Sequence, residues 1–258
     1  SGYLEWGLPL FRPGEKWTNV VEPRARITVM RHTKENQFAA NNDSAGALLS
    51  DATLFSANRF SGLDLWENGT FADYGLRWAA FNPNGETIET FFGQTYDFTK
   101  REATDPNSGF RNGQSDYVGR IGYNNMKWLD MYSRFRFSKD NFGLRHIETN
   151  AVIGTPRNFL NVGHIWSKQF VDVQTAAESI HEFAGGFGLA VTDRWSVRWT
   201  GIYNATDERF QQHSGAIYYE HPCYYLSVGY RRDNAYKEDY VGNTTFQFRF
   251  GISMDGKH

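Results

Sequence analysis

Residues 128–137 read WLDMYSRFRF. Leu129, Met131, Phe135 and Phe137 take one parity, and Asp130, Tyr132, Arg134 and Arg136 take the other. A helix turns every 3.6 residues and would scatter these two sets around its surface. A strand sends successive side chains to opposite faces and so sorts them. The stretch FQFRFGISM, from Phe246, repeats the pattern: Phe246, Phe248, Phe250, Ile252 and Met254 alternate with Gln247, Arg249 and Ser253. The same reading covers NVVEPRARITVMR from Asn19, TIETFFGQTYDF from Thr87, RWSVRWTGIY from Arg194 and YYLSVGYRR from Tyr224. In the first of these, Glu22, Arg24 and Arg26 share a face.

Gly, Pro, Asn and Asp then punctuate the chain into strands of about ten residues, the length a tilted barrel strand needs. The predicted spans number about thirteen: 2–12, 17–32, 70–82, 87–98, 115–123, 127–137, 142–153, 158–171, 180–191, 194–204, 209–220, 223–232 and 242–254. Their connectors alternate in length. PGEK (13–16), PNGE (83–86), NNM (124–126), GTPR (154–157) and Thr192-Asp193 are tight, whereas 33–69, 99–114, 172–179 and 233–241 are long. Two compact turns, SKDN (138–141) and ATDE (205–208), fall on the long side. Short turns on one side and longer loops on the other mark an outer-membrane barrel. A soluble sandwich gives no reason for loop length to follow parity.

Composition agrees. The 258 residues include 21 Phe, 14 Tyr and 8 Trp, yet the mean hydropathy is −0.60. Lipid-facing aromatics combined with a polar interior and polar loops produce both values at once. No apolar run of about 18 residues is present, so no helix is expected to span a bilayer, and a closed sheet is the remaining way to cross one. With 27 basic and 29 acidic residues, no electrostatic footprint for nucleic acid is visible. The chain opens Ser1-Gly2-Tyr3 without a basic-then-apolar stretch, so any export signal is expected outside it. The fold class expected is an all-β antiparallel transmembrane barrel of about thirteen strands, one domain over 1–258 with a long external loop at 33–69. Bacterial single-chain barrels have even strand numbers, so an odd count points to a part of a larger barrel or to one miscounted strand.

Arg at the bilayer midplane on the lipid face costs about 2–4 kcal/mol. Glu22, Arg24, Arg26, Arg134 and Arg136 are therefore expected to face the lumen. They line a permeation path or simply solvate the interior.

Little in the sequence suggests catalysis. His164 and Ser167 differ in parity, and His213 and Ser214 are neighbours that diverge, so neither makes a nucleophile and base. His32, His146, His181 and His221 lack metal-ligand spacing, and no metal or cofactor is expected. GGFG (185–188) lacks the strand-then-helix setting of a dinucleotide loop, and its glycines read as relief of crowding. Three alternatives stay open on the residues alone. A porin-like channel would close 2–12 onto 242–254, a soluble carbohydrate-binding β-protein would turn its aromatics inward, and an outer-membrane lipid hydrolase would need the Ser/His geometry that alternation denies. The single cysteine, Cys223, is read as a small buried residue or as half of a bond to another segment or chain.

The order VVEPRARITV (20–29), NNDS (41–44) and LFSANRFSGLD (54–64) resembles the C-terminal barrel of the LptD family of lipopolysaccharide-assembly outer-membrane proteins. The most specific part is Asn58, Arg59, Phe60, Ser61, Gly62 and Asp64, and Leu65 departs from the Arg common in the family. The ending HPCYYLSVGYRRDNAYKEDYVGNTTFQFRFGISMDG resembles the family's last two strands preceded by a cysteine. The resemblance implies the C-terminal half of a 26-stranded barrel in the outer membrane. It also implies a plug by an LptE-like lipoprotein, and contact with periplasmic lipopolysaccharide-bridge proteins through an N-terminal domain. Lipopolysaccharide would leave for the outer leaflet through a lateral gate at strand 242–254. Phe246, Phe248 and Phe250 would face outer-membrane lipid, and Gln247 and Arg249 the passage. Cys223 would bond to the N-terminal domain.

Overall fold

The computed structural model describes residues 2–30, 49–56, 69–99, 107–110, 113–169, 179–234 and 242–252. Every regular element among them is a strand. In chain order they are β1 (Gly2–Gly7), β2 (Leu10–Arg12), β3 (Thr18–Met30), β4 (Gly69–Phe81), β5 (Thr87–Asp97), β6 (Tyr117–Asn124) and β7 (Leu129–Phe137). β8 (Leu144–Gly154), β9 (Phe159–Ser167), β10 (Ile180–Ala190), β11 (Trp195–Asn204), β12 (Arg209–His221), β13 (Tyr224–Asp233) and β14 (Asn243–Ile252) complete the sheet. Neighbours in the sheet are neighbours in the chain, with β2 pairing β3 beside β1. That order is a meander, in which each strand is joined to the next by a local connection.

The expected strand 2–12 is two strands. The pairs Gly7↔Arg24 and Leu10↔Val21 keep one register on β3, so β1 and β2 occupy a single position in the sheet. Two prolines cause the break. Leu8 still donates to the Pro23 carbonyl at 3.2 Å, but neither Pro9 nor Pro23 has an N–H to give across the gap. β6 begins later than expected because Ser115 and Asp116 are engaged elsewhere. The Ser115 hydroxyl accepts from Thr95 N–H at 3.0 Å, and Asp116 N–H donates to Gly109 O at 2.9 Å. The PNGE turn closes as predicted: Asn82 Oδ1 accepts from the N–H groups of Asn84 and Glu86 at 2.9 Å each, and Gly85 takes the φ of 87° that the turn requires.

Two compact units divide the chain. The first holds residues 1–125, 132–148 and 167–179, and the second 126–131, 149–166 and 180–258. Within the first, Ile27, Val29, Leu76, Phe92 and Ile121 are exposed on one face of β3–β6. The opposite face carries charges and a small buried cluster of Leu49, Leu54 and Val118, with Phe55, Phe91 and Phe110 against it. Residues 49–56 lie on that face because the sheet makes room for them. A Cβ on Gly93 would fall 2.5 Å from Leu54 Cδ2 and 2.8 Å from Tyr74 O, so only glycine admits the Leu54 side chain.

Within the second unit the parity is just as regular. Register aligns Val197, Ile217, Val228 and Phe248 across β11–β14 on one face, and Arg198, Ala216, Gly229 and Gln247 on the other. The apolar face is open, with Phe246 81%, Phe248 69% and Phe250 56% exposed. So large an apolar surface on a folded chain needs a hydrophobic surrounding. A soluble carbohydrate-binding protein would turn these aromatics inward, whereas Phe246, Phe248 and Phe250 on β14 are exposed.

Candidate functional site

Charged side chains on the polar face of the first unit form a ladder across four strands. Glu5 on β1 takes Arg24 Nη2 at 2.7 Å and stands 3.9 Å from Arg26 Nη1. Arg77 on β4 reaches Glu22 on β3 at 3.5 Å and Glu89 on β5 at 2.9 Å. The three charges predicted to share a face, Glu22, Arg24 and Arg26, do so. Their partners Glu5 and Arg77, and Glu89 beyond Arg77, are not legible in the sequence, because a cross-strand pair leaves no trace within one strand's sequence.

Segment 49–56 is bound into this ladder. The Arg24 guanidinium lies 4.6 Å from the Phe55 ring centroid, and Arg26 donates to the Phe55 carbonyl. Arg134 Nε approaches Asp51 Oδ1 at 3.2 Å, and its Nη1 stands 3.8 Å from Glu148. Burial pushes the Asp51 carboxyl above the usual carboxylate range, against the pull of Arg134 and Arg120. Arg136 stands 3.8 Å from Asp116 and donates to Ser108 O at 3.1 Å. Arg134 and Arg136 thus share a face with the ladder, as their parity predicted, and hold loop residues to it.

The second unit's polar face is differently built. Arg231 is held by Asp233 at 3.0 Å and by Gln212 at 3.1 Å. Arg198 lies 5.1 Å from the Tyr218 ring centroid. With Arg249 they line a cavity of about 640 Å³ whose base is Ser214, Ala216 and Gly229. β14, beside it, is hydrogen-bonded to β13 alone among the described residues and is exposed along nearly its whole length.

The Ser/His pairs are not brought together. The His164 ring lies 4.7 Å from that of Phe183, while Ser167 Oγ accepts from Gln169 at 3.2 Å. Ser214 shares a hydrogen bond with Thr200 at 2.8 Å, and His213 contacts the rings of Phe210 and Tyr230. Cys223 is exposed and free in the turn between β12 and β13, where its N–H donates to His221 Nδ1 at 3.3 Å.

The sequence profile described as LptD, LPS transport system D, matches residues 1–195. The chain belongs to the LptD family. The LPS-assembly protein LptD of Acinetobacter baumannii is 24% identical over 230 residues, covering 87% of this chain and 27% of that protein. The chain therefore spans about a quarter of the length of the curated relative it matches. Family and all-β architecture together make this an outer-membrane β-barrel chain, in a transport family and not an enzyme family. The LptD-like motif Asn58, Arg59, Phe60, Ser61, Gly62 and Asp64 lies outside the described residues, as does most of the loop 33–69.

Proposed function

We propose that residues 1–258 are one barrel domain, the C-terminal half of a larger LptD barrel that passes lipopolysaccharide into the outer leaflet through a seam at β14. The observation that carries this reading is the one-sided pairing of β14. Hydrocarbon leaves unpaired N–H and C=O groups no partner, so this edge has to meet a strand of the complete barrel. A contact with few ladder bonds is where a closed sheet opens most cheaply. Gln247 and Arg249 then face the passage, and Phe246, Phe248 and Phe250 face lipid. Glu22, Arg24, Arg26, Arg134 and Arg136 belong to the lumen wall. The partners of this assembly are an LptE-like lipoprotein plug and, through the N-terminal domain, periplasmic bridge proteins. It requires no cofactor.

A photoreactive residue tests the orientation in growing cells. At position 247 of the full-length protein it is expected to capture lipopolysaccharide, and at position 248 bulk membrane lipid. Equal capture from both positions removes the assignment of faces.

Cys223 is then one half of a disulfide with the N-terminal domain, on the periplasmic turn, in an oxidising compartment. In the intact protein it is expected to resist thiol reagents until reduced. Rapid labelling without reductant counts against the bond.

A further inference from the structure

We propose that the groove across β11–β14 is a binding site for a phosphorylated saccharide. Its shape follows from side-chain size. Ser214, Ala216 and Gly229 occupy the two middle strands, and Arg198, Tyr218, Arg231 and Arg249 rise around them. A Cβ on Gly229 would stand 3.1 Å from that of Ala216 and 3.2 Å from Gly215 O, so the base is closed and the space above it is kept free. At about 640 Å³ the cavity falls in the range of about 300–1,000 Å³ typical of small-molecule sites.

Its charge is what distinguishes it. On the polar face of the first unit Arg24, Arg77, Arg134 and Arg136 each stand within 4 Å of a carboxylate. In the groove Asp233 answers Arg231, but among the described residues no carboxylate lies within 4 Å of Arg198 or Arg249. Arg198 and Arg249 line one cavity, so an anion entering it would meet guanidinium donors that no described carboxylate occupies. Their planar donor forks suit a phosphate's oxygens. The other lining groups suit a sugar: the Tyr218 ring offers a flat apolar face, and Thr200, Ser214 and Gln247 offer hydroxyl and amide groups for its hydroxyls.

The site deepens the proposed function and rests on it, since it places an anionic glycolipid's headgroup beside the seam strand. Calorimetric titration of the full-length protein in detergent tests it without transport. The probes are glucosamine 6-phosphate, glucosamine and inorganic phosphate. The sugar phosphate is expected to bind at least tenfold more tightly than either part. The double change R198Q/R249Q is expected to weaken it at least tenfold, Gly229→Val to abolish it by filling the cavity, and Val197→Leu on the opposite face to leave it unchanged. Equal affinity for inorganic phosphate would reduce the groove to a simple anion site and overturn the proposal, as would unchanged binding in R198Q/R249Q or Gly229→Val. Repeating the titration with the seam crosslinked separates the two readings. Binding that persists while a locked seam still transports defeats the seam and keeps the groove, and absent binding where locking stops transport does the reverse.

Discussion

A disulfide joining β14 to the first strand of the complete barrel is expected to stop delivery of lipopolysaccharide to the outer leaflet, and reduction to restore it. Thr244→Cys on β14, paired with a cysteine on the opposing strand, supplies the bond on the side away from the polar groove. A disulfide holds its two Cα atoms about 4.4–6.8 Å apart, close to the spacing of paired strands. The seam then cannot widen for an amphipathic lipid whose acyl chains travel in the bilayer while its headgroup crosses the interior. In hydrocarbon each broken ladder bond leaves an N–H and a C=O without a partner at several kcal/mol, so a seam opens only where few such bonds are made. The expected drop is more than tenfold in surface lipopolysaccharide, recovered on adding reductant. Delivery at the normal rate from fully crosslinked protein would sink the proposal that β14 is the gate.

Phe248→Arg is the change expected to cost the barrel most. Phe248 sits mid-strand on β14, aligned with Val228, Ile217 and Val197 on the exposed apolar face. A cation there would lie near the bilayer midplane at a cost of about 2–4 kcal/mol. That corresponds to a loss of about thirtyfold to about 700-fold in the folding equilibrium, at about 1.4 kcal/mol per tenfold. Gln247→Arg, one residue earlier and on the opposite face, is expected to be nearly neutral, because its charge stays in an aqueous interior. Urea titration of the full-length protein folded into lipid vesicles reads the difference. Similar midpoints for the two variants would place the aromatic face outside the hydrocarbon and undo the membrane orientation.

How much of this was legible beforehand depends on the range of the cause. Strand existence and facing were readable in WLDMYSRFRF and FQFRFGISM, since period two arises from the geometry of adjacent residues. Tight turns such as PNGE were readable for the same reason. The split of the first strand was not, because it takes Pro9 and Pro23 meeting across a register that neither segment states. The charge ladder was half visible. Glu22, Arg24 and Arg26 declared a shared face, but the charges that complete the ladder, Glu5, Arg77 and Glu89, come from three other strands.

Residues 49–56 fall within the predicted external loop 33–69. Their docking depends on a hole above Gly93 that lies some forty residues away. The groove of Arg198, Arg231 and Arg249 gave no local signal at all, being assembled from side chains on three strands, with small residues between them. By itself the sequence determined that this is a family member built from alternating strands, with aromatics to one side and charges to the other, because both follow from near neighbours along the chain. Only the tertiary structure decided which charges neutralise each other and which stand apart from any described carboxylate, because pairing between strands depends on register, and register joins residues that are distant in the chain.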